Sequence, residues 1–258
     1  MCIGSNDESY KFLLTYMSFL QSNLVFGCKI EDQIRMTGEK LQVPEFVWKC
    51  VKKLESDPAN MAAEGIYRVP GDAAKIQKIR IDIDQVRNET HNRLFIACFM
   101  TKGSWERFED CDDVHVIAGC LKLFFRELPQ PLLPHALHDR LRAAATGRGN
   151  SGENVANSLS MITEELGLIE RDTLEVVVRH LARVAEVANK MDVDNLALLF
   201  GQVLLWPDPS IPVDLSLITG KNISLDETLR NIGSFSESAK NVQVADAFIR
   251  FHKEIFPD

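Results

Sequence analysis

Four sequence signals are missing from this chain of 258 residues. No apolar run approaches the ~18 residues that a membrane-spanning helix needs. No G-x-x-x-x-G-K-[ST] phosphate loop occurs, because Gly220 and Lys221 have neither the upstream glycine nor a following Ser or Thr. The six histidines are scattered, without an H-E-x-x-H motif, and no G-x-S-x-G elbow is present. We therefore expect no membrane insertion, no GTP binding through a phosphate loop, no metal or other cofactor, and no serine hydrolase chemistry.

The charge and the cysteines narrow the class of partner and the compartment. A formal net charge of −8 argues against nucleic acid as the main partner, because phosphate binding needs an excess of Lys and Arg. The six cysteines contain no C-x-x-C pair and are predicted to be reduced core cysteines. The first residues, MCIGSNDESYK, are acidic where a secretory signal is basic, and they lack the glycine needed for myristoylation. We expect a cytoplasmic, monomeric protein whose contact with membranes is peripheral or made through a partner.

Helical periodicity recurs along the chain, and strand-type alternation is nowhere sustained. Apolar residues at helical spacing follow Pro44, Asp72 is placed to cap a helix, and further helices are predicted to begin from Asp113 and near Asp192. The pattern predicts an all-α fold. We expect a single domain of about eight or nine helices over residues 25–258, preceded by a flank, residues 1–24, that forms an amphipathic helix packed on the domain. Residues 207–237 are predicted to be rich in loops.

Three segments contain the residues that could support a function. In EGIYRVPG, two glycines bracket Arg68 and permit a tight loop between two helices. In LKLFFRELPQPLLP, Lys122 and Arg126 stand four residues apart and share one helical face. In NKMDVDNLALLFGQVLL, Asn189 and Asn195 flank a short loop and a helix start. Taken singly, each of these residues is better explained by an ordinary role: Arg68 as a solvated charge, Lys122 and Arg126 as the polar face of an amphipathic helix, Asn189 as a helix C-cap and Asn195 as an early-turn residue.

Together and in this order, the three segments resemble the signature segments of the RhoGAP domain family. The resemblance covers roughly residues 25 to 256. It implies an all-helical activator that stimulates GTP hydrolysis on a Rho-family small GTPase in its GTP-bound state, without being an enzyme itself. Carried over position by position, Arg68 matches the catalytic arginine finger. Lys122, Arg126, Asn189 and Asn195 match partner-contacting residues, with Arg126 expected to steady the finger loop and Lys75 and Lys78 expected to join the docking face.

Two positions depart from the family pattern. Pro70 stands where Ser is usual, and Gln202 stands where the last segment usually has Pro. Pro70 fixes its own φ and biases Val69 toward extended geometry, so we expect this departure to affect the shape of the finger loop. The alternative reading is a RhoGAP-like scaffold that binds Rho-family GTPases without activating them. A third reading, a helical enzyme acting on a small molecule, needs convergent titratable groups that the sequence does not offer.

Overall fold

A computed structural model describes residues 25–33, 42–91, 105–147, 152–206 and 225–257, with the backbone alone for 85–91 and 225–236. A single 3-10 turn, Ile30–Gln33, precedes the α-helices. The α-helices in these residues are α1 (Glu45–Glu55), α2 (Pro58–Met61), α3 (Ala73–His91), α4 (Glu106–Glu109), α5 (Val114–Glu127), α6 (His135–Thr146), α7 (Gly152–Thr163), α8 (Leu168–Ala185), α9 (Val193–Leu204), α10 (Leu225–Arg250) and α11 (His252–Ile255). No β-strand occurs in the described ranges. The predicted all-α fold is confirmed, with eight helices longer than one turn and three of four residues each.

Aspartate side chains begin the helices that matter most for the site. Asp72 Oδ1 accepts hydrogen bonds from the backbone N–H groups of Ala74 and Lys75, at 2.8 and 3.1 Å, where α3 begins. Asp113 and Asp192 cap α5 and α9 in the same way. Each carboxylate satisfies first-turn amides that have no partner within the helix. The helix starts predicted at these three residues are confirmed.

The prediction that residues 207–237 are rich in loops is wrong for 225–237, which lie in α10. Apolar residues do recur there at helical spacing, at Leu225, Leu229, Ile232 and Phe235, but Gly233 and the serines that follow it are typical of loops and obscured that signal. Over its whole length, α10 packs against α9 more extensively than any other pair of described helices does. Residues 207–224 and the predicted flank, 1–24, lie outside the described residues.

One apolar core runs from Val25 to Phe256 and includes residues from most of the helices. Near its centre the ring of Phe46 on α1 lies 4.9 Å from that of Phe26 and 5.5 Å from that of Phe124 on α5. Asp84 Oδ1 on α3 accepts the backbone N–H groups of Val25 and Phe26 at 2.8 and 3.1 Å. The segment before α1 is therefore part of the same core as the helices.

The described cysteines are free thiols, as predicted, and lie at positions 28, 50, 111 and 120. Burial raises the pKa of Cys120 to about 12 and raises that of Cys50 well above its ordinary value. These two buried thiols therefore behave as small core residues. None of the helices in the described ranges is long and apolar enough to cross a membrane.

The contact between α9 and α10 depends on Gly201. A Cβ at this position would lie 2.8 Å from the carbonyl oxygen of Asn241 and 2.9 Å from the backbone nitrogen of Val242. Backbone atoms cannot rotate away, so Gly201→Ala should force the helices apart and lower the free energy of unfolding by about 1 to 2 kcal/mol, after the gain in helix propensity. Urea denaturation measures this loss. Leu198→Ala on the same helix, where the side chain is 60% exposed, should change stability by less than about 0.5 kcal/mol. Equal stability of the two variants would contradict the close approach.

Candidate functional site

The loop between α2 and α3 presents Arg68 to solvent while it buries the residue before it. Gly65 and Tyr67 both have a φ of 69°. Gly65 tolerates this left-handed conformation, whereas a residue with a side chain rarely adopts it. The backbone N–H groups of Arg68 and Val69 both donate to the Gly65 carbonyl at 2.8 Å, which closes the turn. As a result Tyr67 is fully buried and Arg68 is exposed.

The Arg68 side chain folds back across Gly65. A Cβ at position 65 would lie 3.2 Å from a terminal guanidinium nitrogen of Arg68 and 2.9 Å from the Val69 side chain. Position 65 therefore favours glycine for its φ, and an added Cβ would also have to displace the Val69 and Arg68 side chains. The neighbouring Glu64 forms an exposed ion pair with Lys190 at 2.7 Å. Its hydrogen bond with Lys190, and to a smaller extent the charge of Arg68, lower the pKa of Glu64.

Tyr67 brings the three sequence segments together. Lys122 Nζ on α5 donates a hydrogen bond to the Tyr67 carbonyl oxygen. The ring of Phe200 on α9 packs edge to face on the Tyr67 ring, with the centroids 5.0 Å apart. The Tyr67 hydroxyl lies 2.6 Å from His180 Nε2 on α8. The residue next to Arg68 is thus held through its carbonyl, its ring and its hydroxyl by three different helices.

The structure gives the two basic residues of α5 different environments. Lys122 is half-buried, and burial together with the nearby charge of Arg126 lowers its pKa. Arg126 is exposed, and its side chain makes no hydrogen bond or ion pair with the described residues. We expected Arg126 to steady the finger loop, but in the structure the contact with the loop is made by Lys122.

The two asparagines of the third segment lie in opposite environments. Asn189 is fully buried, and its Nδ2 donates to the carbonyl oxygens of Met61 and Val184 at 2.9 and 2.8 Å. Its Oδ1 accepts the Met191 N–H at 2.8 Å, and its own carbonyl accepts the Gly65 N–H at 2.8 Å. This burial does not fit direct contact with a partner and favours the alternative reading, a cap on the end of α8. The hydrogen bond between Asn189 and Gly65 also fixes the start of the loop that contains Arg68.

Asn195 is partly exposed in the first turn of α9, so it remains available to a partner.

The two positions that depart from the family pattern do not interrupt the structure. Pro70 is exposed at the end of the loop, and α9 continues through Gln202 without a break. Gln202 Nε2 donates to the Ser238 carbonyl of α10 at 3.2 Å, a contact between helices.

Sequence reasoning missed Glu55 and His180. His180 Nδ1 lies 2.7 Å from Glu55 Oε1, which also accepts two hydrogen bonds from Arg183. No local pattern in the sequence reveals these contacts, because the partners of His180 lie 125 and 113 positions away along the chain. Only the folded arrangement of α1, the loop and α8 brings them together.

Comparison with known proteins adds independent information. A family model described as RhoGAP domain matches residues 44–209. Rho GTPase-activating protein 27 of Mus musculus is 35% identical over 186 residues, which are 71% of this chain and 19% of that protein. Rho GTPase-activating protein 15 of Gallus gallus is 33% identical over 172 residues, which are 66% of this chain and 32% of that protein. The chain thus spans between about a fifth and a third of the length of these relatives.

A solved structure shares the fold. The crystal structure of human Rho GTPase activating protein 15 superimposes with a TM-score of 0.65 at 24% sequence identity. The superposition covers 93% of this chain and 95% of that one. At this level of identity the likeness supports the helical architecture, and the function must be argued from the site.

Proposed function

The chain belongs to the RhoGAP domain family, and we propose that it accelerates GTP hydrolysis on a Rho-family small GTPase by inserting Arg68 into the partner's active site. The observation that carries the proposal is the contrast within the loop, where an exposed arginine follows a fully buried, left-handed tyrosine. A loop with a fixed base and an exposed arginine is suited to placing a charge inside another protein. The chain supplies a catalytic group, and the partner remains the enzyme.

The chemistry explains why the inserted group is an arginine. In phosphoryl transfer, negative charge is spread over the oxygens of the transferring group while the nucleotide site is only partly neutralised. A guanidinium stays charged when it is desolvated and offers a planar set of donors. Such a finger contributes about 10³ to 10⁵ in rate, or roughly 4 to 7 kcal/mol of barrier. The exposed Arg68 guanidinium has to leave its position over Gly65 to enter the partner.

We propose that the docking face surrounds this loop. It comprises the exposed Arg126 on α5, Asn195 on α9, and Lys75 and Lys78 in the first two turns of α3. A basic face of this kind is compatible with a net charge of −8 because only the contact region needs to be positive. Lys122 has a second role, since its ammonium already holds the Tyr67 carbonyl. For Asn189 we propose a structural role in place of partner contact.

We further propose that the functional domain extends over residues 25–258 and acts as a monomer on the GTP-bound GTPase. Support for the boundary comes from Phe26, which lies in the same core as Phe256 near the other end of the chain. The preference for the GTP-bound state follows from the proposed chemistry, because the finger interacts mainly with charge on the transferring phosphate.

Single-turnover GTP hydrolysis by a panel of purified Rho, Rac, Cdc and Ras GTPases, with and without the chain, tests the proposal. We expect a large acceleration with at least one Rho-family member and none with Ras. Tight binding to a GTP-loaded Rho-family protein without acceleration would support the scaffold alternative, in which Pro70 holds the loop in an incompetent shape. The absence of both binding and acceleration across the panel would refute the proposed function.

A further inference from the structure

A buried chain of three side chains ends at the residue before Arg68. The Tyr67 hydroxyl contacts His180 Nε2 at 2.6 Å, and His180 Nδ1 contacts Glu55 Oε1 at 2.7 Å. Tyr67 and His180 are fully buried, while Glu55 lies at the surface end with its side chain 22% exposed. This series of hydrogen-bonded side chains thus connects the end of α1, through α8, to the loop.

The protonation states fix which group donates and which accepts in each of these two hydrogen bonds. Burial lowers the pKa of His180 and raises that of Tyr67, so the imidazole is neutral and the phenol is protonated near neutral pH. Partial burial raises the pKa of Glu55, but hydrogen bonds from His180 and Arg183 outweigh it and hold the pKa below its ordinary value. An ionised carboxylate only accepts, so His180 Nδ1–H donates to Glu55 and Nε2 accepts from the Tyr67 hydroxyl.

The backbone at Tyr67 needs such support. A φ of 69° is disfavoured for a tyrosine and persists where the surroundings hold it. Lys122 holds the Tyr67 carbonyl and Phe200 holds the ring face, but neither fixes how deeply the ring is seated. The hydroxyl contact does so, because His180 is itself fixed by Glu55.

We propose that Glu55, His180 and the Tyr67 hydroxyl form a brace that positions Arg68 for insertion into the partner. The proposal rests on the proposed function of Arg68. These three are positioning residues, because they act on Arg68 only through the loop backbone: Tyr67 and His180 are fully buried, and Glu55 is bonded to His180 and Arg183.

The test compares Tyr67→Phe, which removes only the hydroxyl, with Thr163→Val, which removes another buried hydroxyl. Thr163 ends α7, which packs against α6, α10 and α11, away from the loop. We expect Tyr67→Phe to lower the single-turnover rate at saturating chain about tenfold, the effect of one hydrogen bond worth ~1.4 kcal/mol, with less than about a twofold change in half-saturating concentration. Thr163→Val should leave the saturated rate and the half-saturating concentration unchanged, even if its melting temperature falls as far as that of Tyr67→Phe.

Amide hydrogen exchange of the free chain supplies a readout that needs no partner. The Arg68 and Val69 amides, both bonded to the Gly65 carbonyl, should exchange about tenfold faster in Tyr67→Phe and at the wild-type rate in Thr163→Val. If the wild-type chain stimulates no GTPase, the proposed function fails, while exchange still decides whether the brace exists. The brace would be overturned if Tyr67→Phe left the exchange of these amides unchanged. It would also be overturned if Tyr67→Phe changed only the half-saturating concentration and kept the wild-type saturated rate.

A second pair of variants decides the outcome should Tyr67→Phe fail to fold. Glu55→Ala removes the outer end of the brace, while Glu55→Gln keeps an oxygen that can accept from His180 Nδ1. The brace predicts a loss of saturated rate and faster exchange at Arg68 for Glu55→Ala, with most of both restored in Glu55→Gln. Identical behaviour of the two variants would contradict it.

Discussion

Replacing Arg68 with alanine should reduce stimulated GTP hydrolysis by about 10³-fold or more at saturating chain. The reason is that the guanidinium is asked to act on charge that develops in the transition state, so its removal raises the barrier. Affinity for a GTPase loaded with a non-hydrolysable GTP analogue should change little. Because Arg68 is exposed, the melting temperature should also be nearly unchanged.

Arg68→Lys is the matched control for this experiment. Lysine keeps the positive charge but loses the planar set of donors, so it should restore little of the lost rate. A variant Arg68→Ala that kept the wild-type saturated rate would show that Arg68 is not a finger, and the scaffold reading would replace the present one. Full rescue by lysine would show that charge alone is sufficient.

Asn189→Ala should destabilise the chain by about 3 to 5 kcal/mol, because three buried hydrogen bonds are lost at once. The carbonyls of Met61 and Val184 and the Met191 N–H would remain buried without these partners. For a domain of this size the corresponding fall in melting temperature is about 10 °C or more. Thermal denaturation measures it directly.

Asn195→Ala provides the comparison within the same sequence segment. Asn195 is partly exposed. Its backbone N–H donates the capping hydrogen bond to Asp192 Oδ1, and this bond does not involve its side chain. Stability should therefore change by less than about 0.5 kcal/mol, while affinity for the GTP-loaded partner falls. If the two variants were reversed, with Asn189→Ala stable and defective only in binding, the structural role assigned to Asn189 would be wrong.

The sequence predicted the elements whose signals are local. Apolar spacing after Pro44, the cap at Asp72 and the helical patterns that begin at Asp113 and Asp192 placed helices correctly, because period and capping are properties of neighbouring residues. The first half of α10 was missed although Leu225, Leu229, Ile232 and Phe235 recur at helical spacing, because Gly233 and the neighbouring serines are typical of loops.

The sequence likewise predicted the part of the site whose signals are local. Arg68 could be singled out because glycines bracket it and the flanking motifs fix its context. The burial of Asn189 could not be foreseen, since an asparagine after a helix reads equally as a cap or a surface residue. The contact of Lys122 with Tyr67, and the chain from Glu55 to Tyr67 through His180, depend on three-dimensional packing of four separate segments.

Binding to a transition-state mimic tests the central claim most directly. A GTPase loaded with GDP and aluminium fluoride presents a phosphoryl mimic at the place where the finger would act, and a group that stabilises the transition state should prefer it strongly. Titration calorimetry with the responsive Rho-family GTPase should show affinity at least about 100-fold higher with aluminium fluoride than with GDP alone, and Arg68→Ala should abolish most of that difference. Equal affinity of the wild-type chain for both forms, or an undiminished preference in Arg68→Ala, would contradict the account.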